Sequence, residues 1–276
     1  MNGISKRTET VVLAASYIVL VAANILGEVL KFGGVTAADV SNEVFAWFAP
    51  AGYVFSIWSV IYIGLAIWVV RLIKDETDDA SFAGLPIGFE TMLFAATCVL
   101  NIAWLAFWHL RVFPVTIPVI VLLLAAVVLL YLKTRQRSEA WLDRVPIALY
   151  ASWVAVATIA NIAHVVTRNT VTDAGIIPAL STILLLLLLA GLAFLVRKAL
   201  GEYIFGIVVA WAGIGIGVRL VDVSPAIGVL AILISTIGIA AVLTPWNSLL
   251  STQKSESRRS SRRNPEREQS PRRRPR

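Results

Sequence analysis

The sequence predicts an all-α, polytopic membrane protein with about eight transmembrane helices. Of its 276 residues, 58% are apolar and only 15% are charged, whereas soluble domains carry about 25% charged residues. The charges are also segregated, because long stretches have none while the C-terminal tail is crowded with arginine. A chain whose main solvent is lipid has this distribution, since charged side chains are costly inside a bilayer.

Eight apolar stretches have the roughly 20 residues that a helix needs to cross a bilayer. They lie at residues 10–30, 51–72, 89–110, 112–132, 145–167, 174–196, 201–220 and 225–246. The third and fourth are separated only by Leu110–Pro114, so we expect a tight turn there with Arg111 at its tip. The first stretch is longer than the roughly 7–15-residue apolar region of a signal peptide, and further spans follow it. We therefore expect it to be a membrane span and not a cleaved signal peptide.

The distribution of Lys and Arg predicts the orientation, because cytoplasmic loops are enriched in both. If the N-terminal segment 1–9 is cytoplasmic, the cytoplasmic segments before the tail carry Lys6, Arg7, Arg71, Lys74, Lys133, Arg135, Arg137, Arg144, Arg197 and Lys198. The external loops then carry only Lys31, Arg111, Arg168 and Arg219. We therefore place both termini in the cytoplasm and expect the plasma membrane as the location.

Residues 247–276 form a basic tail that we expect to be disordered and cytoplasmic. After Gln253 it holds ten Lys and Arg against three acids, which accounts for the whole net charge of +7. The high pI is therefore no reason to expect nucleic-acid binding. One interpretation is a solvated orientation signal, and the other is attraction to anionic lipid heads, worth about 1 kcal/mol per nearby cation.

Chemistry that depends on metals or disulfides is not indicated. The only cysteine, Cys98, lies in an apolar stretch, which suits a small packing residue and excludes an intrachain disulfide. With only two histidines in addition, we expect neither a metal site nor a cofactor. No Ser/His/Asp set or carboxylate pair suggests catalytic residues.

Aromatic and amide side chains recur at helical spacing in three of the stretches. The sets are Phe55, Trp58 and Tyr62; Asn101, Trp104 and Trp108; and Tyr150, Trp153, Ala157, Asn161 and His164. An amide that faced lipid would lack partners, so Asn101 and Asn161 should point into the bundle. Either these amides only join helices, or the three faces line an aromatic pocket with a few polar groups.

Other tryptophans and glycines have simpler interpretations. Trp68, Trp141 and Trp246 lie near the predicted helix ends, so we expect them to be anchors at the membrane interface. Gly213 and Gly217 have the GxxxG spacing that permits close helix packing.

The aromatic pattern resembles the tryptophan-rich sensory protein family (TspO/MBR), which includes the translocator protein. The second helix of that family begins with a Pro-rich turn followed by Phe, Trp and Tyr, and its third carries Asn-x-x-Trp. Its fifth carries Tyr-x-x-Trp-x3-Ala-Thr-x2-Asn, which this chain matches with full spacing. The matching residues are Pro50, Gly52, Phe55, Trp58 and Tyr62; Asn101 and Trp104; and Tyr150, Trp153, Ala157, Thr158 and Asn161.

The resemblance covers the family's five-helix unit, at residues 10–167. The three helices expected within 168–246 have no counterpart in that unit. The chain also departs from the pattern locally, because one residue is missing between Phe55 and Trp58, and Val165 replaces a frequent Trp.

The resemblance implies a binding or sensory protein for a planar apolar ligand, such as a porphyrin, another tetrapyrrole or a sterol-like lipid. The expected ligand-binding residues are Trp47, Pro50, Phe55, Trp58, Tyr62, Asn101, Trp104, Trp108, Tyr150, Trp153, Ala157, Thr158, Asn161 and His164. Porphyrin carboxylates would need cations at the pocket mouth, for which the four external Lys and Arg are the candidates.

Alternative functions and partners stay open. A secondary transporter of a small apolar or amphipathic molecule is the main alternative, although no span has a central Asp, Lys or Arg. The resemblance also leaves room for light- or oxygen-dependent porphyrin breakdown. The partners we expect are the bilayer, the apolar ligand and, as an open alternative, a second copy of the chain in a homodimer.

The loop from Lys31 to Ala49 mixes polar residues with large apolar ones such as Val44, Trp47 and Phe48. We expect part of it to fold over the mouth of the bundle as a lid, with a short helix near residues 37–46. In the resembling family this loop covers the ligand site. The alternative is a segment that lies flat among the lipid heads.

The charge alternation makes the orientation testable. Reporter fusions after Arg137 and after Arg168 should report opposite sides of the membrane, with the Arg137 fusion cytoplasmic, because the loop at Arg137 is richer in cations. A fusion after Lys74 serves as the control and should agree with the Arg137 fusion. The same side for Arg137 and Arg168 would refute the predicted topology.

Overall fold

The structure is a computed structural model that describes residues 3–74, 87–170 and 175–245. Trp246 and the basic tail, for which we predicted an interface anchor and disorder, lie outside the described residues. The helices up to Val242 belong to one compact unit, Met1–Val242, and the second unit is Leu243–Arg276.

The described residues confirm the all-α class, with eight helices long and apolar enough to cross a membrane. The α-helices are α1 (Gly3–Asn24), α2 (Ala37–Ser41), α3 (Ile57–Lys74), α4 (Phe89–His109), α5 (Phe113–Arg137), α6 (Trp141–Asn169), α7 (Ile176–Leu200), α8 (Ile204–Val221) and α9 (Pro225–Leu243). A π-helical segment, Ile25–Val29, continues α1, and 3₁₀ segments lie at Phe32–Gly34 and Gly52–Ser56. Every α-helix among the described residues except the short α2 corresponds to a predicted span.

Two predicted spans were clearly too short: α1 already begins at Gly3 instead of residue 10, and the fourth span ends too early. The apolar run ends at residue 132, but α5 continues to Arg137. The added turn is polar, and Thr134 and Arg137 turn from it toward the buried Glu90. The Thr134 hydroxyl donates to Glu90 Oε1 (2.7 Å), and Arg137 Nε donates to Glu90 Oε2 (2.6 Å). Burial of these polar groups is acceptable because they satisfy one another, and hydropathy alone does not detect this.

Five of the spanning helices pack into a closed ring. Helix α1 contacts α4, which contacts α5, and the ring continues through α6 and α3 back to α1. Helix α8 packs on the outside of α6, and α7 packs on α8. The ring helices are α1, α3, α4, α5 and α6, which lie in the part of the chain that resembles a five-helix unit. The loop 31–49 lies across one end of the ring, which we call the lid end.

The expectation that Trp68 anchors the membrane interface was wrong. Its ring is fully buried and packs on Phe94, with ring centroids 5.2 Å apart. Ile61, Leu65 and Trp68 follow one another at helical spacing, and all three are completely buried on the face of α3 that turns into the bundle. Trp141 at the start of α6 is exposed, and its role as an anchor stays a prediction.

Ion pairs join the ring at the end opposite the lid. Arg71 of α3 binds Asp143 of α6 through two nitrogens, and Ser138 donates to the same carboxylate. The pair formed by Glu90 and Arg137 links α4 to α5. Because both carboxylates are almost fully buried, removal of either arginine would take away a cation that stabilises a buried negative charge.

Helices α8 and α9 pack closely, as the GxxxG spacing indicated. A Cβ atom on Gly217 would lie 2.5 Å from Ile232 Cγ1 and 2.8 Å from the Gly228 carbonyl oxygen. A Cβ atom on Gly213 would lie 2.1 Å from Ser235 Oγ. Only glycine permits this approach, so the two positions act in packing.

This contact predicts the effect of a single added side chain. Gly217→Val should lower the free energy of unfolding by about 1–3 kcal/mol, because Ile232 and the Gly228 backbone must move to make room. Thermal unfolding in mild detergent would measure the change. The matched control is Gly191→Val in α7, where a Cβ atom would have no neighbour within 4 Å. Equal melting temperatures for the two variants would contradict the proposed packing constraint.

Candidate ligand-binding site

A small aromatic cavity lies inside the ring, directly under the lid. Its volume is about 30 Å³, close to the space that one water molecule occupies in the liquid. Helices α3, α4 and α6 supply most of its wall. The lining residues are Ser41, Pro50, Phe55, Trp58, Trp104, Trp108, Trp153, Val156, Ala157, Ala160 and Asn161.

The rings around the cavity pack on one another in two groups. On one side, Trp58 packs edge-on against Trp153 (6.3 Å between centroids), and Phe55 packs against the same indole (6.2 Å). On the other side, Trp104 and Trp108 of α4 are stacked, 5.8 Å apart with 21° between their planes. These separations are typical of attractive aromatic pairs, so the side chains themselves fill the space between the helices.

Asn161 uses its whole amide to join three helices. Its Oδ1 accepts a hydrogen bond from Trp104 Nε1 (2.8 Å), and its Nδ2 donates to Thr116 Oγ1 (2.9 Å). Asn101 is also buried, and its Oδ1 accepts from Asn24 Nδ2 (3.3 Å). Both amides thus point inward as predicted, and at Asn161 the role as a link between helices is the one that the contacts support.

Several predicted site residues lie outside the cavity wall. Tyr62 stacks on the far side of Trp58, 5.6 Å away, and Tyr150 packs behind the same ring at 6.2 Å. Thr158 donates to the Val154 carbonyl in its own helix. Asn101 and His164 are buried nearby but are not among the lining residues. Helical spacing predicts only which residues share one face of a helix. Such a face is larger than the wall of one small cavity, so some of its residues lie outside that wall.

Trp47 belongs to a different recess. Together with Phe45 and Phe48 it borders a groove of about 470 Å³ between the lid, α6 and α7. Its indole nitrogen is buried without a hydrogen-bond partner among the described residues. The structure therefore separates Trp47 from the aromatic cavity, although both lie at the lid end.

Some polar atoms near the cavity are buried and have no well-formed hydrogen bond among the described residues. They include Tyr62 Oη, Tyr150 Oη, Trp153 Nε1, Asn101 Nδ2 and both ring nitrogens of His164. The His164 ring lies between Trp108 (4.8 Å) and Phe113 (4.9 Å), with the Ser41 backbone close enough to interact with it. Because unpaired buried polar groups are costly, these atoms are available for further hydrogen bonds.

The lid, residues 31–49, carries the short helix that was expected near 37–46. Helix α2 begins with a capping box, in which the Thr36 hydroxyl accepts from the Asp39 N–H and the Asp39 carboxylate accepts from the Thr36 N–H. These hydrogen bonds, the one with the Thr36 backbone above all, hold the pKa of the Asp39 carboxyl below its usual value. The capping box fixes the start of α2 locally.

Contacts with the bundle hold the lid closed over the ring. Trp108 Nε1 donates to the Ala37 carbonyl (3.1 Å), and the Ala37 N–H donates to Glu28 Oε1 (2.9 Å). Val40 and Ala46 are completely buried. The loop therefore packs on the helices, and the flat interfacial arrangement is not the one that the structure contains.

Three of the four cations expected at the pocket mouth bind the lid. Arg111 forms an ion pair with Glu43, and Arg168 approaches the other oxygen of that carboxylate (3.6 Å). Arg219 donates to the carbonyls of Ala46 and Ala49, both at 3.1 Å. A ligand carboxylate would have to compete with these contacts.

Helix α8 supports the turn that carries Phe55, a role that sequence reasoning missed. The Ala51 N–H donates to the Gly215 carbonyl, and Trp211 Nε1 donates to the Val54 carbonyl, both at 3.1 Å. A Cβ atom on Gly215 would lie 2.1 Å from Val54 Cγ2. The glycines and Trp211 of α8 were visible in the sequence, but nothing in it indicated which segment they contact.

The Arg219 contacts predict a change in the local stability of the lid. Arg219→Gln should speed hydrogen exchange of the backbone amides in residues 44–54 by about tenfold, because charge-assisted hydrogen bonds each contribute about 1.5–3 kcal/mol and a shorter amide does not reproduce both. Hydrogen-exchange mass spectrometry would measure this. Lys198→Gln, which removes a cation from the end of α7, should leave the lid unchanged. Unaltered exchange in Arg219→Gln would show that the arginine does not hold the lid.

Comparison with known proteins identifies a family that the chain matches over most of its length. A family model described as TSPO-like protein matches residues 10–244. The match covers all eight spanning helices, including the three that follow the five-helix unit. No curated protein and no solved structure matches the chain. Because the match extends over most of the sequence, the chain belongs to the TSPO-like protein family.

Proposed function

We propose that this TSPO-like membrane protein binds a planar apolar ligand, a tetrapyrrole or a sterol-like lipid, in the aromatic cavity under the lid. The observation that carries the proposal is the convergence of Phe55, Trp58, Trp104, Trp108 and Trp153 on one cavity. Flat conjugated rings stack well on indoles, because both present extended π-faces.

The closed cavity must enlarge before such a ligand fits. Ligand pockets have volumes of about 300–1,000 Å³, far above the 30 Å³ of the closed cavity. Phe55 and Trp58 also border a cleft of about 370 Å³ between α1 and α3. Rotation of the Trp58 side chain would join cavity and cleft, so side-chain movement can supply the volume without separation of the helices.

Polar groups at the cavity suit the edge of a tetrapyrrole. Trp153 Nε1 is a buried donor at the wall, and Tyr150 Oη lies behind Trp58. For ligand carboxylates, the candidate cations at the lid end include Arg111 and Arg168, which now share Glu43. A carboxylated porphyrin would take the place of Glu43 and thereby release part of the lid.

Filling the cavity tests this proposal directly. Ala157→Phe should weaken protoporphyrin IX binding at least about tenfold, because the added ring occupies the ligand's space. Absorbance titration of the purified protein in detergent would measure it, with thermal unfolding as a check on folding.

The matched control is Ala155→Phe in the same helix. Ala155 borders a separate recess near Leu192 and Phe205, so this variant should bind like the wild type. The proposal fails if the wild type binds neither porphyrins nor a sterol, or if the two variants behave alike.

The purified protein can also be used to distinguish binding from the alternative functions, transport and porphyrin breakdown. In proteoliposomes, a binding protein retains the ligand, whereas a secondary transporter accumulates it against a concentration gradient when an ion gradient is applied. Loss of the porphyrin absorbance under light and oxygen, dependent on Trp58 and Trp153, would instead indicate porphyrin breakdown.

A further inference from the structure

The cleft between α1 and α3 has features of a binding site in its own right. Its volume of about 370 Å³ lies within the range of small-molecule pockets. It lies at the lid end, where α1 continues as the π-helical segment Ile25–Val29, and π-helical turns are frequent at functional sites. Its wall includes Asn24, Glu28, Thr36, Trp58, Ser59 and Tyr62.

Glu28 gives the cleft a negative charge that nothing in its wall balances. It is the one charged residue among those that line the cleft in the described part of the chain. Its Oε1 accepts from the Ala37 N–H (2.9 Å) and lies 3.7 Å from Nε2 of His109, a residue outside the cleft wall. Its Oε2 has no partner among the described residues, and the side chain is 32% exposed.

Two aromatic rings line the same cleft as this carboxylate. Trp58 and Tyr62 are nearly parallel, with 17° between their planes, and both line the cleft. The Tyr62 hydroxyl is buried and has no hydrogen-bond partner in the described part of the chain. A carboxylate and the aromatic rings of Trp and Tyr in one cleft are a combination that binds organic cations, because the ring quadrupole and the negative charge both attract a cation.

We propose that this cleft binds an organic ammonium group, with Glu28 as its counter-ion and the Trp58 and Tyr62 rings as its cation–π surface. An anionic group placed next to Glu28 is disfavoured by the same charge, whereas the carboxylates of a porphyrin would lie at Arg111 and Arg168. The ammonium group can belong to the choline or ethanolamine head of a phospholipid or to a free amphipathic amine, since both present the same chemistry. The proposal does not depend on tetrapyrrole binding.

An isosteric pair of probes tests the role of charge. In dodecyl maltoside, which contains no ammonium group, we expect benzyltrimethylammonium to bind at least about tenfold more tightly than neutral neopentylbenzene. Titration calorimetry would give both affinities. Equal affinities in the wild type would overturn the proposal.

Substitutions then locate the site. Glu28→Gln should remove the preference for the cation, while the glutamine oxygen can still accept the Ala37 N–H and so preserve the lid. Glu139→Gln removes an exposed carboxylate at the opposite end and should keep the wild-type preference. An unchanged preference in Glu28→Gln would exclude Glu28 as the counter-ion.

A third variant keeps the charge and removes the space. Ser59 is exposed and lines the cleft, so Ser59→Trp should fold and should abolish binding of the ammonium probe. Wild-type affinity in this variant would place the probe elsewhere and overturn the proposal, even if Glu28→Gln failed to fold. Displacement of the probe by added phosphatidylcholine or phosphatidylethanolamine would assign the site to lipid heads, and the absence of displacement would assign it to a free amine.

Discussion

The amide of Asn161 is the interaction on which the interior of the bundle depends. In an apolar environment a buried amide must find partners, and Asn161 finds them on two neighbouring helices, in Trp104 and Thr116. These hydrogen bonds fix how α4 and α5 face α6. They also fix the plane of the Trp104 indole, on which Trp108 stacks. One polar side chain in α6 thereby sets the positions of two rings in the cavity wall.

The lid depends on the same wall and on helix α8. Trp108 reaches the first turn of α2 through its indole N–H, so the ring that borders the cavity also holds its cover. From the other side, Arg219 binds the carbonyls that end the lid, and Gly215 lets α8 approach the turn before α3. A five-helix ring alone would leave these carbonyls without the arginine. The additional helix therefore stabilises a closed lid end.

Much of the fold could be predicted from the sequence, because hydropathy and charge determine which segments cross a bilayer. All eight spans and the inward direction of Asn101 and Asn161 follow from that physics. Side-chain environments that depend on the partner helix could not be predicted. The indole of Trp68 suits an interface anchor, but Trp68 is buried because its side of α3 turns into the bundle, where it packs on Phe94. Trp47 belongs to the groove beside α7. For the candidate site, the aromatic wall was foreseeable, whereas the small volume of its cavity and the engagement of its cations with Glu43 were not.

Trp58 connects the two proposed sites physically. One part of its ring borders the aromatic cavity and another borders the cleft at Glu28. If an ammonium group binds against Trp58 and Tyr62, it favours the rotamer that keeps these rings stacked and the cavity closed. A planar ligand that enlarges the cavity requires that ring to move. The two ligands then favour different positions of one side chain, so each must weaken the binding of the other by the same factor, since coupling between two sites is reciprocal.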